Sequence, residues 1–224
     1  MSPDHALDQL KSLARAQKSN EMAAYHKAKR AYLGVSNPEI DALVRRWKQG
    51  ADTETLVASA RALWRSDIHE ARVAAAKILS KPRFDDDAGV WAEISTWVAD
   101  FDAWAIADHA CKAGSFRLLA VRTRLDDVAA WTVHENMWVR RAALVTTLPW
   151  ARMASPDKRD RAIRARILGW AGQYTRETEW FMQKVVGWWL RELSKRNVAP
   201  VTGFLNAHGD NMKPFARKEA CKYL

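Results

Sequence analysis

The stretch F-D-A-W-A-I-A-D-H-A-C at 101–111 places Asp108 one turn after Trp104, on the same side of a mostly apolar helix. A carboxylate beside an indole has two readings. It is a surface acid paired with Lys112 at i+4, worth a few tenths of a kcal/mol, or it is an acid set in a ligand groove, where it needs a chemical use. A second group lies in W-F-M-Q-K-V-V-G-W-W-L-R-E-L-S-K-R at 180–196, where Lys184, Trp188, Arg191 and Lys195 recur at four, three and four. That spacing puts three cations and one indole on a single stripe, either as a binding face or as a core Trp among solvated charges. The third is N-M-W-V-R-R-A-A-L at 136–144, where Arg140 and Arg141 point about 100° apart, so only one can face a given ligand. An arginine here clamps a phosphate or pairs with a local acid such as Glu135 or Asp108.

Other chemistries find no pattern. G-x-S-x-G, a Walker loop, H-E-x-x-H and G-x-G-x-x-G are all missing, and the six histidines are scattered. His109 and His134 are expected to be hydrogen-bonded structural or surface residues. Asp85, Asp86 and Asp87 fall where a helix begins and read as charge complementing its dipole, so no metal is expected. Cys111 and Cys221 have no partner at disulfide or zinc spacing and are expected to be buried thiols.

The net charge is +10, and residues 151–224 carry 15 Lys/Arg against 7 Asp/Glu, which is +8 of that total. Such a bias favours a polyanionic partner, nucleic acid first. No apolar run reaches the roughly 18–20 residues of a membrane span, and the N-terminal residues lack the apolar core of a signal peptide. A soluble cytoplasmic protein without a membrane partner is expected. Most of the twelve tryptophans are expected in helix packing.

The elements that must carry these residues are helices throughout, because apolar residues recur at three and four with almost no alternation. The expected helices are 3–17, 21–32, 37–49, 52–64, 67–81, 86–99, 101–113, 115–123, 126–133, 136–149, 157–172, 177–195, 198–208 and 214–223. Gly34, Gly50 and Gly114 read as C-terminal signals, and S-N-P-E at 36–39 as a capped start. Helices joined by short loops suggest pairs in series at the HEAT-like period, an all-α solenoid with a concave basic face suited to duplex DNA. No linker divides the chain, so 1–224 is read as one domain.

W-x-x-x-D at 104–108, N-M-W-V-R-R at 136–141 and F-M-Q-K-V-V-G-W-W-L-R-E at 181–192, in that order, resemble the AlkD family of DNA alkylpurine glycosylases. M-A-A-Y at 22–25, Y-L-G-V-S-N-P-E at 32–39 and R-K-E-A at 217–220 extend the similarity over nearly the whole chain. The resemblance implies that Asp108 is the catalytic carboxylate, that Trp104 and Trp188 contact the lesion nucleotide and that Arg141 holds the DNA. It places Tyr25 near the same groove. The basic stripe and the adjacent arginines, read by themselves, supply Lys184, Arg191, Lys195 and Arg140 as further candidate DNA-binding cations. Two departures stand out: Ala103 and Ala105 flank Trp104 where relatives often read W-W-D, and Leu148-Pro149-Trp150 stands where a basic residue is common.

Alkylation at N3 or N7 makes a purine a cationic leaving group that needs no general acid. What remains is an oxocarbenium-like sugar, which one carboxylate can stabilise while orienting water. The expected activity is hydrolysis of the N-glycosidic bond of alkylated purines in duplex DNA by a monomer. No cofactor is needed, and the resemblance implies that the base stays stacked. The alternative is a non-catalytic HEAT-like module that binds damaged or branched DNA; a protein-binding scaffold would explain the helices but not the charge.

Overall fold

The computed structural model describes residues 3–224, with side chains from residue 5 onward. Its helices are α1 (Pro3–Ser12), α2 (Ala16–His26), α3 (Asn37–Trp47), α4 (Thr53–Arg65), α5 (His69–Leu79), α6 (Asp87–Thr96), α7 (Trp104–Ala120), α8 (Leu125–Trp131), α9 (Met137–Thr146), α10 (Leu148–Arg152), α11 (Lys158–Tyr174), α12 (Trp180–Ser194), α13 (Val198–His208) and α14 (Pro214–Ala220). Short 3-10 turns occupy Trp97–Asp100, Arg122–Arg124 and Gly209–Asn211. Among the described residues the one β-type pairing is an isolated bridge between Ala31 and Ile68. The fold is all-α, as the periodicity leads one to expect, and none of the described helices is long and apolar enough to cross a membrane.

Capping residues set the helix starts. Ser36 and Glu39 form a reciprocal capping box with Pro38 in the first turn, and Asp52, Asp86 and Asn136 accept the N–H groups of Thr55, Gly89 and Trp138. Asp86 thus caps α6 within the acidic run.

Several boundaries differ from expectation. The segment expected as 3–17 stops at Ser12, and α2 starts at Ala16 and ends at His26, where Lys27 takes a left-handed conformation with φ 59°. Gly34 ends no helix. It lies in the connection after α2 with φ +77°, where a Cβ would come within 2.5 Å of the Arg15 carbonyl oxygen. The helices expected at 101–113 and 115–123 are one, because Gly114 is buried inside α7 rather than ending it. The helix expected at 136–149 breaks at Thr147, since Pro149 belongs to the first turn of α10. Cys111 is buried but Cys221 is only half-buried.

The chain forms two compact units, residues 1–122 and 123–224. In the first, α5 packs on α3, α4 and α7, and α6 packs on α4 and α7. α5 is nearly all buried, which suits the Ala-rich run A-R-V-A-A-A-K-I-L. In the second, α12 is the hub, packing on α9, α10, α11, α13 and α14.

Candidate functional site

Helix α7 buries its small residues Ala105, Ala107, Ala110, Ala113 and Gly114, which lets it pack closely on α5 and α6. Trp104 and Asp108 remain half-buried and Lys112 exposed, so the three form an open stripe at successive steps of four. Asp108 is therefore neither a core residue nor a freely solvated one.

Trp104 opens α7, and its position depends on what holds the preceding turn. Trp97 stacks on Trp64 at 4.4 Å and 7°, its indole N–H donates to Glu93, and the Trp64 indole N–H donates to Asp100 at 2.8 Å. The Arg72 guanidinium lies 4.9 Å from the Trp64 ring and pairs with Asp67 at 3.1 Å and Asp100 at 3.7 Å. Arg30, its side chain 2% exposed, pairs with Asp102 and Asp67. Two arginines and three aspartates thus tie the turn before Trp104 to the segments around residues 30 and 67. Nothing in the spacing of these residues announces that network.

A second unannounced feature is a ring cluster behind Trp104. Tyr25, 69% exposed, meets the Trp104 ring edge-on at 6.2 Å, and His26 lies 5.5 Å from that ring. His26 stacks on His69 at 4.4 Å, and His69 on Tyr32 at 4.9 Å. Burial pushes His69 down to about 3, helped by the charges of His26 and Arg30. His26 is also lowered by burial, against the pull of Glu70. Both shifts favour the neutral imidazole, so the two stacked rings do not repel each other as a pair of cations would. Below them the fully buried Glu70 carboxylate accepts the backbone N–H groups of Leu33, Gly34 and Val35 at 2.9, 2.7 and 3.3 Å, fixing the chain after α2.

In the second unit, the adjacent arginines of α9 separate as helical geometry demands. Arg140 forms a bidentate pair with Glu177 at 3.0 and 2.8 Å and donates to the carbonyls of His134 and Glu135 at 2.7 and 2.8 Å. Arg141 turns inward, 2% exposed, with its guanidinium carbon 5.9 Å from the Trp138 ring and 6.0 Å from the Phe181 ring.

The stripe on α12 is present: Lys184 and Lys195 are exposed, Trp188 and Arg191 half-buried, and Val185, Trp189 and Leu193 buried behind them. Its cations differ in their partners. Lys184 sits 4.7 Å from the Trp180 ring, whereas Arg191 pairs with Glu192 and Glu219, and Lys195 with Glu192 at 3.0 Å. Burial disfavours charge on Glu192, but hydrogen bonds from Lys195, Arg191 and Arg152 prevail and hold its carboxyl at about 2. Gln183 staples the motif in place, donating to the Thr175 and Glu177 carbonyls and accepting from the Lys213 N–H. At Gly187 a Cβ would come within 2.7 Å of the Ala216 carbonyl oxygen, so α12 and α14 meet backbone to backbone. Pro149 is half-buried, and the neighbouring Trp150 is fully buried with its indole N–H on Asp160 at 3.1 Å.

The fold is shared with solved proteins. A protein described as a predicted DNA alkylation repair enzyme from Enterococcus faecalis is 24% identical, with a TM-score of 0.71, over 94% of this chain and 96% of that one. AlkD2 from Streptococcus mutans is 16% identical, with a TM-score of 0.60, over 85% of this chain and 91% of that one. The smu.31 protein of the same organism is 17% identical, with a TM-score of 0.59, over 82% of this chain and 94% of that one. These likenesses identify the architecture as the HEAT-like helical repeat. No curated protein matches the chain. The model of the DNA alkylation repair enzyme family matches residues 6–224, and the chain belongs to that family.

Proposed function

We propose that this DNA alkylation repair enzyme is a glycosylase that hydrolyses the N-glycosidic bond of N3- or N7-alkylated purines in duplex DNA, acting as a monomer. The observation that carries the reading is the open stripe of α7, where Asp108 and Trp104 stand together with Tyr25 edge-on to the indole. Asp108 stabilises the sugar cation as the base departs and orients the attacking water. The indole face of Trp104 adds attraction to the same cation, about 0.5–2 kcal/mol depending on desolvation. The alkylated base leaves already cationic, so no acid is needed to protonate it, and it need not leave the stack.

Trp188 at the sugar is carried over from the resemblance; the resemblance also gives Arg141 to a phosphate, but its 2% exposure beside the Trp138 and Phe181 rings leaves it no open face for one in this conformation. Lys184 is assigned to the DNA backbone on its exposure, while Arg191 and Lys195 contribute less because acids offset them. We assign Arg140 to holding the second unit together, since four hydrogen bonds occupy its guanidinium.

The test is release of 7-methylguanine from methylated duplex DNA by Asp108→Asn. The variant is expected to fold and bind DNA while excision falls about 10²–10³-fold, the usual effect of losing a preorganised electrostatic group. Undiminished release would remove Asp108 from the mechanism. A wild-type protein that binds duplex DNA and releases no base would be a binding module instead.

A further inference from the structure

Helices α3, α5 and α7 border an open cavity of about 300 Å³ lined by Arg45, Lys48, Lys77 and Lys112, with Asp41 and His109 in its wall. The charge there is unbalanced. Four cations line it with one carboxylate, Asp41, which is already taken by Lys77 at 2.6 Å; a second, Asp108, stands outside the lining one turn from Lys112. Lys48 is half-buried, and its ammonium donates to a neutral acceptor, the Lys77 carbonyl, at 2.6 Å. An ammonium has three donors, so capacity remains for an anion. Burial together with the charges of Lys81 and Lys112 lowers Lys48 to about 8. His109 is held at about 4, by burial first and then by Lys77, and a neutral imidazole offers one N–H donor. Left empty, such a cluster repels itself; a bound anion would remove that penalty.

We propose that this cavity binds phosphate, and that the phosphate belongs to the DNA backbone close to the nucleotide on which Asp108 acts. Lys112 lies one turn beyond Asp108 on the same stripe, about 6 Å along the helix. That short separation puts the cavity beside the reacting nucleotide, at a phosphate close to the same sugar. The placement rests on the glycosylase reading of Asp108; the anion site rests on the cavity alone.

The experiment measures binding of an undamaged duplex against NaCl concentration for wild type, Lys112→Ala and Lys48→Met, with thermal melts to confirm folding. Each variant is expected to raise Kd about tenfold, the effect of one charge-assisted contact, and to reduce the salt slope by about one. Lys112 is exposed, so its variant tests the site even if Lys48→Met folds poorly. Unchanged Kd and slope in Lys112→Ala would overturn the proposal. So would stabilisation of the wild type by inorganic phosphate that Lys48→Met abolishes while duplex affinity stays the same, since the site would then serve free phosphate. Asp108→Asn is run in parallel: lost excision with a normal slope keeps failure of the cavity distinct from failure of the glycosylase reading.

Discussion

Arg140→Ala separates a scaffolding arginine from a DNA-binding one. The substitution removes two hydrogen bonds to Glu177 and two to backbone carbonyls, with the pair's side chains 20% and 23% exposed. Charge-assisted bonds contribute about 1.5–3 kcal/mol each when isolated. They are not additive here, and partial solvation screens the pair, yet Glu177 is left without its main partner. A net loss of about 2–3 kcal/mol follows. For a chain of this length each kcal/mol moves Tm by about 2–4 °C, so the melt should fall by roughly 5–10 °C. Thermal unfolding of Arg140→Ala, Glu177→Gln and the double variant gives the coupling directly, expected near or above 1 kcal/mol. An unchanged melt in Arg140→Ala together with weaker duplex binding would refute the reasoning and return Arg140 to the DNA.

Glu70→Gln should destabilise the first unit by about 3 kcal/mol, because an amide N–H₂ would face backbone donors in a fully buried site. Amide exchange at Leu33 to Val35 reports it, and unaltered protection there would show that the carboxylate is not what holds the segment. Acid should also weaken the fold well above the carboxylate range. The folded values of His69, about 3, and His109, about 4, lie below their ordinary 6.5, so the unfolded chain takes up protons first as pH falls. Stability is complete above pH 6.5 and is lost on descent toward pH 4 and 3, by up to about 1.4 kcal/mol per pH unit from His69 and less from half-buried His109. Urea midpoints that stay level between pH 6.5 and 4.5 would contradict this.

The sequence makes plain whatever depends on local periodicity. The all-helical class, the Ser36–Glu39 cap and the α12 stripe all follow from spacing within a few turns. The opposite directions of Arg140 and Arg141 follow from the same helical pitch, although which of them turns inward does not. Gly114 misleads because glycine is a common helix end yet also occurs inside buried helices, as it does in α7. The ring cluster was illegible for another reason: His26, His69 and Trp104 meet through three elements far apart in the chain. The Arg30–Asp67–Arg72–Asp100–Asp102 network and the Lys48 cavity have the same origin. Arg191 shows the converse, since a stripe of cations reveals its geometry but not Glu219, brought in from α14 to offset that arginine.

Gly187 bears on the residue beside it. Because a Cβ at Gly187 would come within 2.7 Å of the Ala216 carbonyl oxygen, α12 has little freedom to roll about its own axis. A rotation by one residue would swing a side chain into the space between the two backbones. The direction in which Trp188 points is therefore fixed from about 100° around the helix, by the neighbouring residue that has no side chain.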